Sequence, residues 1–300
     1  MPKVTELPKV TEFFDLKTNT FTYVVEDTKT RACAIIDSVL DLHYASGTVS
    51  YESADEIIEF IKDKMLNVEW ILETHIHADH LSAAPYLREA LGGKIAIGEH
   101  VTTIQRKFGA VFNEDGKFQR NGSQFDVLLS DNQSINIGSI DGYVLHTPGH
   151  TPACVTYVFG NAVFVGDTLF MPDSGTARAD FPGGDARQLY RSIQKILSLP
   201  ADSRVFVCHD YMPNGRKQQH ETTIAEQAYK NIHLGSEISE EDYVTMRMAR
   251  DASLSMPKLI LPSIQVNMRA GNLPVREAGC TYLKIPINVS SKGHASKPLD

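Results

Sequence analysis

The sequence lacks the features that identify disulfide-rich, membrane and secreted proteins. Its 300 residues include only four cysteines, which are widely scattered and form no CxxC pair, so buried free thiols are expected. No stretch approaches the ~18 uncharged apolar residues that a membrane span requires. Residues 1–6 contain neither an apolar core nor a small-residue cleavage site, which argues against a secretory signal and leaves the cytoplasm as the expected location.

Positive charge is also scarce. There are 29 lysines and arginines against 37 aspartates and glutamates, which gives a formal net charge of −8. Nucleic acid is therefore not expected as a partner, because a phosphate backbone is bound by a surplus of lysine and arginine. A small anionic substrate remains compatible with this balance, since it needs only a few local cations.

Strand-like and helix-like segments alternate along the chain. Apolar runs predict the strands Phe21–Val25, Ala32–Asp37, Val68–Leu72, Lys94–Ile97, Ser134–Ile137, Tyr143–His146, Val155–Phe159, Ala162–Val165 and Val205–Cys208. Helical spacing predicts the helices Ser53–Lys64, Ser82–Leu91, Asp185–Leu197, Glu221–Ala228 and Glu240–Ser253. Because several strands are joined by hairpin-length turns, the pattern indicates an α/β protein with mixed or antiparallel sheets.

The chain is expected to form a single domain, because no linker or break in composition divides it before about residue 218. Residues 1–12 contain the pentapeptide Pro-Lys-Val-Thr-Glu twice and are interpreted as an N-terminal arm. Residues 219–290 are expected to form a helical and loop segment beside a substrate pocket. The polar residues 291–300 are expected to be a flexible tail.

Four candidate metal ligands fall within six residues. His75 and His77 are two positions apart, so on an extended backbone they face the same way, and Asp79 and His80 follow directly. A lone histidine is usually a core or surface side chain, but eleven histidines in 300 residues would not scatter this densely. Histidine nitrogens and carboxylates that converge on one point are typical of metal centres. The cluster therefore predicts a metal-dependent enzyme.

Three more residues of the same types each follow an apolar strand. They are His150, Asp167 and His209, and glycine or proline stands near the first two. Taken singly, a polar residue at the end of a strand is weak support for a site. Loops at strand ends are nevertheless where sites are commonly built, so together with the first cluster these residues indicate one metal centre.

The order HxHxDH, distant His, Asp and His resembles the metallo-β-lactamase superfamily over roughly residues 15–215. The resemblance implies an αββα sandwich with the metal at one edge of the two sheets. The segments Thr74–His80, Gly166–Phe170, Gly175–Phe181 and Cys208–Tyr211 are similar to ETHE1-like persulfide dioxygenases, and Leu261–Asn267 and Tyr282–Pro286 to their longer bacterial members.

The narrower resemblance implies one Fe(II) per chain, bound by His75, His150 and Asp167. It implies an oxidoreductase that converts glutathione persulfide, O₂ and water to glutathione and sulfite. A homo-oligomer is also expected, and no membrane partner. Two histidines and one carboxylate suit such iron oxygenases, because they leave coordination positions open. The remaining candidates would orient ligands and tune their basicity, and they are His77, Asp79, His80 and His209.

A second reaction fits the same residues. Asp79, His80 and His209, with Asp167 as a bridge, could hold a second zinc ion, which would generate a hydroxide for hydrolysis. On ligands alone, a glyoxalase II-like hydrolase of glutathione thioesters fits equally well. The region Thr176–Phe181 and the C-terminal segments favour the dioxygenase through their resemblance.

The substrate side is predicted from local cations and one hydroxyl group. Glutathione carries two carboxylates, which arginine can bind through two hydrogen bonds. Arg216 and Lys217 follow His209 closely enough to reach the mouth of the site, and Arg269 lies in a loop-like stretch. Tyr211 could donate its hydroxyl to a substrate. Arg178 and Asp180 are instead expected to pair with each other below the metal.

Overall fold

Strands and helices alternate through the computed structural model, which describes residues 7–235 and 238–287. The strands are β1 (Lys9–Asp15), β2 (Thr20–Glu26), β3 (Ala32–Ile36), β4 (Val39–His43), β5 (Thr48–Ser50), β6 (Asn67–Leu72), β7 (Leu81–Ser82), β8 (Lys94–Gly98), β9 (Val127–Leu129), β10 (Gly142–His146), β11 (Val155–Phe159), β12 (Ala162–Phe164), β13 (Arg204–Phe206) and β14 (Glu221–Thr223). The helices are α1 (Glu52–Asp63), α2 (Ala84–Leu91), α3 (Val101–Val111), α4 (Ala186–Leu197), α5 (Ile224–Lys230), α6 (Glu240–Asp251) and α7 (Ile260–Asn267).

The strands form two large sheets and one small one. The first sheet has the order β1-β2-β3-β6-β8-β9, with antiparallel pairs from β1 to β3 and parallel pairs from β3 to β9. The second has the order β10-β11-β12-β13-β14, in which only β12 and β13 run parallel. A small sheet joins β5, β4 and β7. The expectation of mixed sheets is therefore confirmed.

The two large sheets pack face to face, and helices cover their outer faces. Along β2, Tyr23 and Val25 belong to the core between the sheets, whereas Val24 belongs to the core under the helices. That alternation follows from the two-residue period of a strand. Ile57 of α1 packs outside the first sheet and Ile193 of α4 outside the second. The αββα sandwich implied by the resemblance is confirmed.

Helix α4 shows how the local sequence determines an element. The Asp185 side chain accepts a hydrogen bond from the Gln188 N–H and so caps the first turn of the helix. Leu189, Ile193 and Ile196 recur at helical spacing and are fully buried against the second sheet. The predicted helix Asp185–Leu197 thus matches α4 to within one residue.

Several predicted elements need correction. Residues 9–12 of the expected N-terminal arm belong to β1, which pairs with β2 from Lys9–Glu26 to Asp15–Thr20. Residues 134–137 make only isolated bridges, and residues 221–223 form β14 rather than the start of a helix. Helix α3 was not predicted, because its threonines and its glycine have low helix propensity and interrupt the helical pattern of apolar residues. Residues 1–6 and the expected tail 291–300 lie outside the described residues.

The helices of the described ranges 7–235 and 238–287 were also compared with the thickness of a membrane. None of them is both long enough and apolar enough to cross one.

Candidate metal centre

The candidate ligands gather where strand ends of the two large sheets meet. His75 follows β6 of the first sheet, and residues 77–80 continue towards β7. His150 lies in the turn between β10 and β11 of the second sheet, Asp167 follows β12 and His209 follows β13. All of these side chains are buried except Asp79, which is half-buried. The structure therefore brings together every ligand candidate that the sequence suggests.

One group consists of two imidazoles and one carboxylate. Asp167 Oδ2 lies 3.8 Å from His75 Nε2 and 3.6 Å from His150 Nε2. The donor atoms of the three residues all lie within 4.8 Å of one another. Such spacing suits a single ion bound on one face, with its remaining coordination positions open towards solvent or substrate.

Hydrogen bonds fix which ring nitrogen of each histidine faces this group. The Thr74 hydroxyl donates to Asp37 Oδ2 at 2.8 Å, so it accepts the proton of His75 Nδ1 at 3.0 Å. His150 Nδ1 donates to the carbonyl oxygen of Arg178 at 2.8 Å. Both Nε2 atoms are therefore left with a lone pair that points at the group, as metal ligands require.

A second group lies beside the first. His77, Asp79 and His80 have donor atoms within 4.8 Å of one another. His209 Nε2 is 3.2 Å from Asp79 Oδ2 and 3.2 Å from Asp167 Oδ1, so Asp167 faces both groups. His77 Nε2 donates to Asp37 Oδ1 at 2.9 Å, which leaves its Nδ1 atom facing inward.

Several buried polar atoms of the two groups have no hydrogen-bond partner among residues 7–235 and 238–287. They are His75 Nε2, His77 Nδ1, Asp79 Oδ2, His80 Nε2, Asp167 Oδ1 and His209 Nε2. His209 Nε2 has ion-pair contacts with Asp79 Oδ2 and Asp167 Oδ1, but none of the six atoms makes a hydrogen bond. Buried polar atoms are nearly always hydrogen-bonded, so six exceptions at a single place need an explanation. Nitrogen lone pairs and carboxylate oxygens that converge in this way fit a metal cation, and the set is large enough for one ion or two.

The electrostatics of the centre also suit a cation. Burial lowers the pKa of the His75 ring well below its ordinary value, which keeps the ring neutral and able to donate its lone pair. Burial alone would raise the pKa of the Asp167 carboxyl, but His209 and the other facing histidines hold it below its usual range. Burial alone would lower the pKa of His209. The negative charges of Asp79 and Asp167 have the larger effect and raise the pKa of His209 to about 9.

Two glycines allow the ligands to take their places. Gly149, just before His150, has φ +141°, and a Cβ atom there would lie 2.3 Å from backbone atoms of Leu189 in α4. Gly166, just before Asp167, has φ +51°, and a Cβ atom would lie 2.6 Å from the Thr74 hydroxyl oxygen. Only glycine combines these backbone angles with such close approaches.

Asp37 has a supporting role that the sequence reasoning missed. It bonds His77 directly and His75 through Thr74, so one carboxylate orients two histidines of the motif. Glu73 Oε2 lies 3.3 Å from His77 Nε2 and adds a second carboxylate. Asp37 directly follows β3, the same position at a strand end that identified His150 and Asp167, so this signal was available in the sequence.

Cys208 lies closer to the centre than expected for a structural thiol. Its sulfur is within 4.8 Å of ligand atoms of His77 and His209. Burial raises the pKa of the Cys208 thiol well above its ordinary value. This shift fits a thiol held in an apolar environment beside the ligand candidates.

A cavity of about 840 Å³ opens from the metal centre to the surface. Asp79, His80, His150 and Asp167 line its inner end. Tyr211 also lines it, with its ring centroid 5.8 Å from that of Phe170 in an edge-on arrangement, and its role in substrate binding stays a prediction. Other lining residues come from the C-terminal segment and include apolar and basic side chains, among them Ile232, Arg247, Arg250, Leu254 and Lys258.

The other predicted substrate-binding residues are not among those that line the cavity. Arg216 is held between Asp173 and Asp210, with contacts of 2.5 to 2.8 Å to both carboxylates, and Lys217 points to solvent beside it. Arg269 pairs with the buried Glu114 at 2.6 Å. Arg216 and Arg269 thus already have carboxylate partners, and the substrate-binding role of the three cations stays a prediction that their placement does not support.

Arg178 and Asp180 pair with each other, as expected. Arg178 Nε and Nη2 donate to the two Asp180 oxygens at 2.6 and 2.8 Å. A second pair from α6 holds the same loop, and it was not predicted. Asp251 Oδ2 accepts from the Ala179 N–H at 2.9 Å, and Arg247 Nη1 donates to the Thr176 carbonyl oxygen at 3.0 Å. Helix α6 thus fixes the loop whose Arg178 carbonyl group orients His150.

Comparisons with known proteins agree with this geometry. The family described as the metallo-beta-lactamase superfamily matches residues 17–209. A probable metallo-hydrolase of Burkholderia pseudomallei is 53% identical over 92% of this chain and 98% of its own. Glyoxylase B2 of Dictyostelium discoideum is 49% identical over 93% of this chain and 97% of its own. The mitochondrial persulfide dioxygenase ETHE1 of Homo sapiens is 31% identical over 87% of each chain.

A solved structure agrees as well. The crystal structure of ETHE1 from Myxococcus xanthus superimposes with a TM-score of 0.69 and 28% identity, covering 88% of this chain and all of that one. The family match, the relatives and the shared fold lead to one conclusion: the chain belongs to the metallo-β-lactamase superfamily of metal-binding enzymes.

Proposed function

We propose that this protein is a persulfide dioxygenase, which oxidises glutathione persulfide with O₂ and water to sulfite and glutathione. The proposed cofactor is one Fe(II), held by His75 Nε2, His150 Nε2 and an oxygen of Asp167. The observation that carries the proposal is this group of three buried donors, in which hydrogen bonds turn the Nε2 atoms of both histidines inward. Ferrous iron held by these three donors would supply the oxygen chemistry that two-histidine, one-carboxylate sites support.

The other residues of the centre would act around the three ligands. Asp37 orients His75 through Thr74, and the Arg178 carbonyl group orients His150, so both rings keep their Nε2 lone pairs inward. His77, Asp79, His80 and His209 are proposed to surround the reacting sulfur and oxygen with hydrogen-bonding groups.

The likeness to named relatives supports the oxidative reaction. The human relative with the printed name persulfide dioxygenase shares 31% identity over 87% of both chains. The structural alignment with M. xanthus ETHE1 extends over the whole of that chain. The cavity supports a thiol carrier with carboxylates, because Arg250 and Lys258 are exposed basic residues on its wall. We propose these two in place of Arg216, Lys217 and Arg269 as the anion-binding groups.

A glyoxalase II-like zinc hydrolase of glutathione thioesters is the second candidate. The observation that favours it is the second group of unpaired donors, at His77, Asp79, His80 and His209, which could hold another ion. Relatives with the printed names probable metallo-hydrolase and Glyoxylase B2 share 53% and 49% identity with this chain. The two candidates differ in metal, in the need for O₂ and in product.

One experiment separates the candidates. The protein is purified without oxygen, its metals are counted, and O₂ uptake and sulfite are followed after addition of glutathione persulfide. About one iron per chain with equal consumption of O₂ and persulfide supports the dioxygenase. Two zinc ions per chain with hydrolysis of a glutathione thioester and no O₂ uptake would refute it.

Matched histidine variants test the site itself. His150→Ala should lose both the metal and the activity, whereas His43→Ala should keep both, because His43 is exposed and bonds only the Ser46 hydroxyl. A His150→Ala protein that retains its metal and its activity would contradict the assignment of ligands.

A further inference from the structure

Asn267, the last residue of α7, reaches into the loop that carries the HxHxDH motif. Its Nδ2 group donates to the carbonyl oxygens of His77 at 2.9 Å and His80 at 2.8 Å. Its Oδ1 atom accepts from the N–H of Ser82 at 2.8 Å. The side chain is only 3% exposed, so one amide group forms three buried hydrogen bonds to one short segment.

The segment needs such a partner. Residues 77–80 lie in neither a helix nor a strand, so their backbone groups cannot be paired in a regular ladder. A buried carbonyl group without a partner is costly, and such groups are therefore almost always bonded. The Asn267 amide satisfies two of these carbonyl groups at once, and only glutamine, which is one methylene longer, carries the same amide group.

The segment that follows α7 also packs closely against the end of the motif loop. Gly271 has φ +82°, and a Cβ atom there would lie 2.7 Å from the Ser82 carbonyl oxygen and 2.6 Å from the Pro85 ring. The backbone thus passes directly over the end of the motif loop. Both Asn267 and Gly271 lie beyond the residues 17–209 that match the superfamily.

We infer that Asn267 is a positioning residue of the metal centre, which sets the backbone of the loop that presents His77, Asp79 and His80. Its amide group holds the loop at two points, on either side of Asp79, and so fixes the directions of the three side chains. The C-terminal segment would then complete the centre rather than merely cover it. The inference rests on the proposed metal site, but it is the same for the dioxygenase and the hydrolase.

Cobalt binding to the full-length protein tests the inference. Co(II) alone is titrated into metal-depleted wild type and into Asn267→Asp, and its visible absorption reports affinity and coordination geometry. The variant keeps the size of the side chain but turns an oxygen towards two carbonyl oxygens. Groups that orient metal ligands typically contribute 10–100-fold to affinity, so we expect Co(II) to bind at least about tenfold more weakly, with an altered absorption spectrum.

Two controls separate positioning from a general loss of stability. Val266→Ala removes fully buried apolar atoms from the same helix, and Asn272→Asp changes an exposed asparagine that bonds only Arg269. Both should bind Co(II) like wild type, even if Val266→Ala melts at a lower temperature. If Asn267→Asp does not fold, Asn267→Ser, which shortens the side chain without adding charge, is measured in its place.

Three results are decisive. Unchanged Co(II) affinity and absorption in the Asn267 variant would overturn the inference, as would an equal loss of affinity in Val266→Ala. Wild type that binds no Co(II) would refute the metal site and the inference together. Wild type that binds Co(II) but, with iron, consumes no O₂ would refute only the dioxygenase.

Discussion

The buried ion pair Arg247–Asp251 should make a large contribution to stability. Arg247 is 1% exposed and Asp251 5% exposed, and their closest contact is 2.6 Å. Asp251→Asn keeps an oxygen for the Ala179 N–H but leaves the Arg247 guanidinium buried without a counter-charge. Removal of one partner from a buried pair costs about 3–5 kcal/mol. In a chain of this size such a loss lowers Tm by roughly 10 °C.

Thermal and urea unfolding of the metal-depleted protein measure this effect. A matched control is the pair Glu226–Lys230, which has the same spacing of four residues and the same closest distance of 2.6 Å but is exposed. Lys230→Gln should cost no more than about 0.5 kcal/mol, because water screens an exposed pair. If Asp251→Asn lowers stability no more than Lys230→Gln does, the assigned role of the buried pair is wrong.

Three further predictions follow from single features. Burial, with Arg247 and Arg250 nearby, lowers the pKa of His233 from 6.5 to about 4, so the unfolded chain binds more protons between these values. Stability should fall as pH drops through that window, and His233→Gln should flatten the dependence in urea unfolding; equal slopes would exclude the effect. Gly149→Ala should cost about 3 kcal/mol through overlap with α4, and an unchanged melting curve would contradict this. The double variant Arg250→Ala, Lys258→Ala should raise KM roughly tenfold with little change in kcat, and an unchanged KM would exclude the proposed anion site.

The metal-centre residues were accessible from the sequence because their signals are local. His75 and His77 stand two apart at the end of an apolar strand, and Asp167 follows another, so residue type and position sufficed to suggest them. Their convergence needed only the rule that strand ends of a layered fold meet at one edge. The sandwich itself came from resemblance, since hairpin-length turns indicated mixed sheets but not how the sheets pack.

The substrate side was not accessible in the same way. Whether an arginine is available depends on its partner, and that partner can be distant in the chain. Arg269 is neutralised by Glu114, and Arg216 by Asp173, through contacts that no local pattern reveals. Asn267 was invisible for a related reason, because its three partners lie 185 to 190 residues away.

Because the donors lie on two sheets, the supply of metal should affect the lifetime of the protein. His75 extends from one sheet, whereas His150 and Asp167 extend from the other, so an ion bound by all three ties the halves of the sandwich together. An ion that binds only the folded chain, present at 1,000 times its dissociation constant, adds about 4 kcal/mol to stability. Molecules made during metal scarcity would open more often and be degraded sooner. The abundance of this protein would then follow the metal status of the cell.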